Sequence, residues 1–268
     1  MMIFDLTITE IAIRLALGLA IGFCIGLSGM GGGILGLQAT TFVLGLDPIK
    51  AVGTTSLYLF LTNIAASFQH YRLGNVALSS IWPILTGAIP ANIAISIWIS
   101  TQSDNIELKA GLENLILFIV FVAVVAMGVN MLKKTTDPDA VDGGRFKNSK
   151  KRMAVSLLFG ICFGSIVGAT SVGGGILLVP ALILLGLSSY QTVGSAIFIT
   201  MTLTFITAMI YGTGGEVDQV SAITMAVGSL AGVYFGSRCS VGIPEKRLKK
   251  IMIGIISVIA LAMLISRT

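Results

Sequence analysis

The sequence is short of charge. Only 11% of its 268 residues are Asp, Glu, Lys or Arg, where a soluble surface needs about a quarter. With 55% hydrophobic residues and a mean hydropathy of +0.96, the chain cannot cover a core of that size, which excludes a soluble globular protein. Cysteine is also scarce. Cys24, Cys162 and Cys239 lie in or beside apolar runs, so no disulfide framework is implied. The single histidine, His70, and the absence of H-E-x-x-H exclude the usual metalloprotease motif. No P-loop lysine is present, and Ser28 and Ser195 lack a convincing partner base. No enzyme, cofactor or metal is therefore expected. The net charge of +5 resides in short loops and is not a nucleic-acid signal.

What is present is apolar runs and glycine. The runs are Ile8–Leu27, Ile34–Leu46, Ala51–Phe68, Val76–Ile99, Leu115–Leu132, Met153–Val172, Ile176–Leu187, Gln191–Tyr211, Val220–Gly236 and Ile251–Ile265. A full crossing needs about 20 residues, so the second and seventh are candidates for half-depth helices. Asp5 and Glu10 come first with no basic region before them, which argues against a cleavable signal peptide. The expected class is an all-α integral membrane protein in contact with the bilayer.

Loop charge orients it. Lys133–Arg152 carries seven basic and three acidic residues, and Arg238–Lys250 five basic and one acidic. Both are expected at the cytoplasm. Glu216 and Asp218 sit together without a basic residue, which points outward, as do both chain ends. The expected organisation is a first transmembrane repeat over 1–132, a basic cytoplasmic linker over 133–152 and a second repeat over 153–268.

The repeat is in the residues. Gly29-Met30-Gly31-Gly32-Gly33-Ile34-Leu35 matches Ser171-Val172-Gly173-Gly174-Gly175-Ile176-Leu177 at an offset of 142. Gly18, Gly22 and Gly26 match Gly160, Gly164 and Gly168, and Ala51-Val52-Gly53-Thr54 partly matches Thr192-Val193-Gly194-Ser195. A repeat in opposite orientations marks many secondary transporters. The spaced glycines read as helix-packing faces. The triple glycines read as tight reversals, each followed by a short helix whose unpaired first N–H groups suit an anion. Gly31-Gly32-Gly33-Ile34-Leu35-Gly36 formally fits a dinucleotide fingerprint, but no strand precedes it and no βαβ unit surrounds it.

The motif G-M-G-G-G-I-L with A-V-G-T-T downstream, repeated as S-V-G-G-G-I-L-L-V-P-A-L and T-V-G-S-A, resembles the sulfite exporter TauE/SafE family, also called the toluene-sulfonate uptake permease group. The resemblance runs from about Arg14 to Ile265. It implies transport of sulfur-containing anions such as sulfite or sulfonates across a bacterial plasma membrane; some members are associated with other small organic anions, including carboxylates. Repeat one departs from the pattern in carrying Gln38 where repeat two has Pro180.

Apart from Arg14, the run interiors hold no charged residue. A small anionic substrate must then be met by backbone N–H groups, hydroxyls and amides. The candidate substrate-binding residues are Ser28, Gly31, Gly32, Gly33, Gln38, Thr54, Ser56 and Asn63 in the first half. In the second they are Ser171, Gly173, Gly174, Gly175, Ser195, Thr200 and Thr204. His70 and Glu216 are candidates for proton coupling. Competing classes are a membrane enzyme and a structural subunit. The sequence leaves the oligomeric state open, a homo-oligomer included. The expected architecture is two inverted repeats of five helical segments each, with Gly-rich hairpins whose tips meet near the midplane.

Overall fold

The structure, a computed structural model, describes residues 7–28, 32–116, 118–119, 149–172 and 175–240. These are almost entirely helical, with no strand among them. The helices are α1 (Ile8–Ser28), α2 (Gly32–Gln38, continuing as a π-helical turn Ala39–Val43), α3 (Pro48–Arg72) and α4 (Leu78–Ser100). A helical stretch over 106–116, α5, follows. Then come α6 (Ser149–Thr170), α7 (Gly175–Leu184), α8 (Ser189–Thr213) and α9 (Gln219–Ser240). Among the described residues, six helices are long and apolar enough to cross a membrane: α1, α3, α4, α6, α8 and α9. Most of the fifth apolar run, the whole of the tenth and most of the basic linker lie outside the described residues. Ser149–Arg152, read as linker, already form the first turn of α6.

Local signals place the ends. Pro48 opens α3, where its missing N–H costs nothing, and the Asp47 carboxylate accepts from Ile49 N at 3.2 Å. Ser188 caps α8 in a reciprocal box with Gln191. Gly45 and Gly186, which follow the two short helices, have φ of +64° and +84°, a backbone region glycine enters at little cost.

The spaced glycines fix the packing. Gly18, Gly22 and Gly26 of α1 lie directly against the backbones of Met225, Ser229 and Val233 of α9. Gly160, Gly164 and Gly168 of α6 lie against Ile84, Ala88 and Asn92 of α4. Gly228 and Gly87 return the contact, onto Leu15 and Leu157. Without hydrophobic drive between helices in lipid, such close approach is what holds them together. Each half therefore lends its last described span to the other half's first.

These contacts also give directions. The paired residues rise together, so α1 runs parallel to α9 and α6 parallel to α4. Gly53 packs on Tyr211, and the tilted rings of Phe60 and Phe205 lie 4.8 Å apart, so α3 is antiparallel to α8. Gly53 also meets Glu216 while Tyr58 reaches Ser229, which aligns α3 with α9. Gly194 against Asn75, Thr207 on Asn92 and Gly214 against Ser100 align α8 with α4. Thus α1, α3 and α9 point one way and α4, α6 and α8 the other.

Candidate transport site

The short helix α2 turns back along α3. Gly36 packs on Tyr58 and Thr55, and Thr40 Oγ1 lies 3.0 Å from Thr55 Oγ1. A Cβ on Gly32 would meet the Ile25 side chain and stand 3.5 Å from Leu59 Cδ2. Leu59 belongs to the middle turn of the 25-residue α3. At about 1.5 Å per residue that helix spans roughly 37 Å, so the first reversal begins near its centre.

The second reversal reaches the same place. Ser171, just beyond α6, has φ +55°, a left-handed conformation uncommon outside glycine. Its hydroxyl lies 2.6 Å from that of Ser56, and both residues are fully buried. Ser56 and Leu59 stand one turn apart on α3. Ile34, Leu35, Tyr58 and Leu59 share one apolar cluster with Ala169 and Val172. A single turn of α3 thus touches residues flanking both reversals.

The glycines sit differently from the expectation. Gly32 and Gly33 form the first turn of α2, and Gly175 opens α7, so these three glycines are helical. The missing Cβ at Gly32 lets α2 start against Ile25 of α1. Gly31, Gly173 and Gly174 lie outside the described residues, as does the Ser28 side chain.

Thr54 and Ser195 have parallel positions. Thr54 Oγ1 accepts from Asp218 N at 2.9 Å, just ahead of α9, and Ser195 Oγ accepts from Ala77 N at 3.1 Å, just ahead of α4. Each occupies a helix-entry N–H in the other half's last described span. Thr204 bonds back to the Thr200 carbonyl at 2.8 Å, as hydroxyls in helices often do. The Thr200 hydroxyl is buried with no hydrogen-bond partner, as are both amide atoms of Gln38. Asn63 is half-buried.

His70 and Glu216 do not come together. Glu216 lies against Gly53 near the start of α3, and His70 lies in the last turn of that helix, 3.4 Å from Asn75. Asp218 is held locally: Arg14 donates to Ser221 Oγ at 2.7 Å, and Ser221 donates on to Asp218 at 2.6 Å. At the same end, Lys109 pairs with Asp47 at 2.7 Å. The hydrogen bond that Lys109 donates to Asp47 pushes its ammonium above the ordinary lysine value, with the charges of Asp47, Glu216 and Asp104 adding to it.

The centre of the molecule is therefore polar but uncharged, framed by two reversals. The sequence profile of the sulfite exporter TauE/SafE family matches residues 14–263. This chain belongs to that family. It is similar to the probable membrane transporter protein YjnA of Bacillus subtilis, at 29% identity over 92% of this chain and 97% of that one. It is also similar to a probable membrane transporter protein of Xylella fastidiosa, at 29% identity over 87% and 85% of the two chains. The probable membrane transporter protein MJ0441 of Methanocaldococcus jannaschii is 24% identical over 96% and 97%. No solved structure matches with significance. As a TauE/SafE member with six apolar helices, the protein is a multi-pass membrane transporter.

Several polar groups of this TauE/SafE protein escape a reading of its sequence. Buried Asn92 of α4 donates to Thr207 of α8 at 2.9 Å and to the Gly164 carbonyl at 3.3 Å. Tyr211 donates to the Gly168 carbonyl at 2.9 Å. Tyr58 donates to Ser229 at 3.2 Å. A lone amide in an apolar run was the available signal for Asn92, since such a group needs a partner on another helix.

Proposed function

We propose that the protein is a secondary transporter that carries small sulfur-containing oxyanions, such as sulfite or organosulfonates, outward across a bacterial plasma membrane. The observation that carries this reading is the convergence on one mid-span turn of α3. Gly32 at the first reversal abuts Leu59, and Ser171 at the second hydrogen-bonds Ser56. A weakly coordinating site of hydroxyls and backbone N–H groups suits an anion that must also leave, since a buried cation would hold it too firmly.

We read the halves as inverted repeats. The support is that α1, α3 and α4 point opposite to their counterparts α6, α8 and α9, and that the contacts of Gly53 and Gly194 recur at the repeat offset, onto Glu216 and Asn75. The basic linker Lys133–Arg152 then faces the cytoplasm and the chain ends face out.

The driving force follows from charge. A membrane potential negative inside moves a monovalent anion outward with about 2.3 kcal/mol per 100 mV, enough for roughly a 50-fold gradient. With His70 and Glu216 at opposite ends of α3, no pair is poised to relay a proton through the site. Export by uniport needs none.

The test is radiolabelled flux in proteoliposomes under a valinomycin-clamped potassium potential, with equal pH on both sides and a panel of sulfite, sulfonates and carboxylates. Potential-driven flux of the sulfur anions supports the reading. Flux indifferent to potential and steeply dependent on an imposed pH gradient overturns uniport. Flux of carboxylates alone overturns the substrate class.

A further inference from the structure

We propose that Gln38 and Thr41 form a subsite for the protonated oxygen of a singly charged oxyanion, so that the protein carries the hydrogen-bearing monoanion and rejects the dianion. The inference rests on the anion-transport reading above and specifies which form of the substrate is moved.

Gln38 is 2% exposed, yet neither its Nε2 nor its Oε1 has a hydrogen-bond partner. The Thr41 hydroxyl is buried and unpartnered as well. Leaving buried polar atoms unpaired is costly, and three of them gathered on adjacent turns call for an occupant. Gln38 closes α2 and Thr41 follows three residues on, inside the π-helical turn Ala39–Val43, so both belong to one short buried segment. On the same segment Gly32 and Gly36 pack on Ile25, Tyr58 and Thr55, and Thr40 meets Thr55, while the polar atoms of Gln38 and Thr41 have no partner there. Its depth is fixed by the Thr40–Thr55 hydroxyl contact, which sets it level with the α3 turn that holds Ser56. Thr41 lies within the π-helical turn Ala39–Val43, an irregularity that frequently marks functional positions. The second half has Pro180 and Ile183 at the same offset, so the arrangement occurs once per chain.

The donor set selects the ligand. A carboxamide offers N–H donors on one side and a carbonyl acceptor on the other. A fully deprotonated oxyanion has only acceptors and would face Oε1 with a negative oxygen. A singly protonated oxyanion gives its O–H to Oε1, while its other oxygens accept from Nε2 and from the Thr41 hydroxyl. All three unpaired atoms then have a partner. Charge points the same way, because desolvation grows steeply with ligand charge and the site supplies no cation.

The groups that could impose their own pH dependence are on the neighbouring elements. Helix α1 carries Glu10, Arg14 and Cys24, and α3 carries Lys50, Tyr58, His70, Tyr71 and Arg72. Tyr58 faces the Gly36 side and donates to Ser229. Asp47, beyond the π-helical turn, is paired with Lys109. None of these bonds Gln38 or Thr41. The proton that matters is the substrate's own.

The experiment compares sulfite with methanesulfonate, which is singly charged at every working pH and has no O–H. Full-length protein in proteoliposomes is held at a clamped potential, with equal pH on both sides stepped through the second ionisation of sulfite. For wild type, sulfite flux should fall in proportion to the monoanion fraction while methanesulfonate flux stays flat. Q38L should lower the preference for sulfite over methanesulfonate at least tenfold, and T41V should act in the same direction less strongly. Q38E should regain the preference only at acid pH, where a protonated carboxyl again offers a donor and an acceptor. Sulfite should also raise the thermal midpoint of wild type and not of Q38L. Sulfite flux that holds steady as the dianion takes over, or a preference that survives Q38L in folded protein, overturns the subsite while leaving anion transport standing. Wild type that moves neither sulfur anion overturns both readings.

Discussion

The seams between the halves and the reversals between them obey different rules. At the seams the halves are copies: Gly22 on Ser229 in one is Gly164 on Ala88 in the other. Beside the reversals they diverge. Thr40, Thr55, Ser56 and Tyr58 line the first half, where the repeat gives Leu182, Ala196, Ile197 and Ile199 in the second. Backbone-to-backbone packing admits only glycine, so it constrains both halves alike. Side chains at the centre have no such constraint, and there the two halves carry their buried polar groups at different positions, such as Ser56 in one and Thr207 in the other. The glycine contacts recur between the halves and the polar positions do not.

The largest expected effect breaks the symmetric part. Gly22→Leu and Gly164→Leu each drive a side chain into the opposing backbone, at Ser229 and Ala88. Each should cost about 3 kcal/mol or more and abolish a monodisperse peak in detergent size-exclusion chromatography. Survival of one and loss of the other would break the equivalence of the seams.

Next comes the asymmetric part. Ser56→Ala leaves the buried Ser171 hydroxyl without its 2.6 Å partner, a loss of about 1–3 kcal/mol. Anion flux in proteoliposomes should fall roughly tenfold, since 1.4 kcal/mol is a factor of ten. Ile197→Ser at the equivalent position should bring no gain in flux.

Smaller and again symmetric are the helix entries. Thr54→Val and Ser195→Ala release the N–H groups of Asp218 and Ala77. Each should lower thermal stability by about 1 kcal/mol, and the two losses should match. A substrate-specific loss in either would return that residue to the binding site.

The smallest effect is Lys109→Met. The pair with Asp47 is part-exposed, at 31% and 38%, so screening limits it to about 1 kcal/mol or less. Because Asp47 raises the Lys109 value, the contribution is fully present at neutral pH. It disappears only as pH rises through that raised value, beyond the ordinary lysine range near ~10.4. Thermal unfolding of wild type and variant at neutral and strongly alkaline pH reads the difference.

The features legible in the sequence are those with local causes. The spans follow from run length, the seams from glycine spacing, and the two short helices from runs too brief to cross. The chemistry of the centre was legible only in part. Ser56 and Ser171 stand out as polar residues in apolar surroundings, but their contact bridges 115 residues and no local pattern encodes it. Thr54 and Ser195 stand out for the same reason and yet serve helix entries, because a hydroxyl does not announce its partner. The π-helical turn after Gln38 has no sequence signature, and the bond between Asn92 and Thr207 exists only once α4 and α8 are aligned.

The central claim, that residues flanking both reversals converge on one turn midway along α3, is tested most directly by a cross-link. Ser56→Cys and Ser171→Cys are combined in a background where Cys24, Cys162 and Cys239 are Ala, and the protein is oxidised in proteoliposomes. The account predicts that a disulfide forms, that anion flux stops, and that a reductant restores it. No disulfide, with each cysteine labelled by an impermeant maleimide from a different side of the membrane, would contradict it.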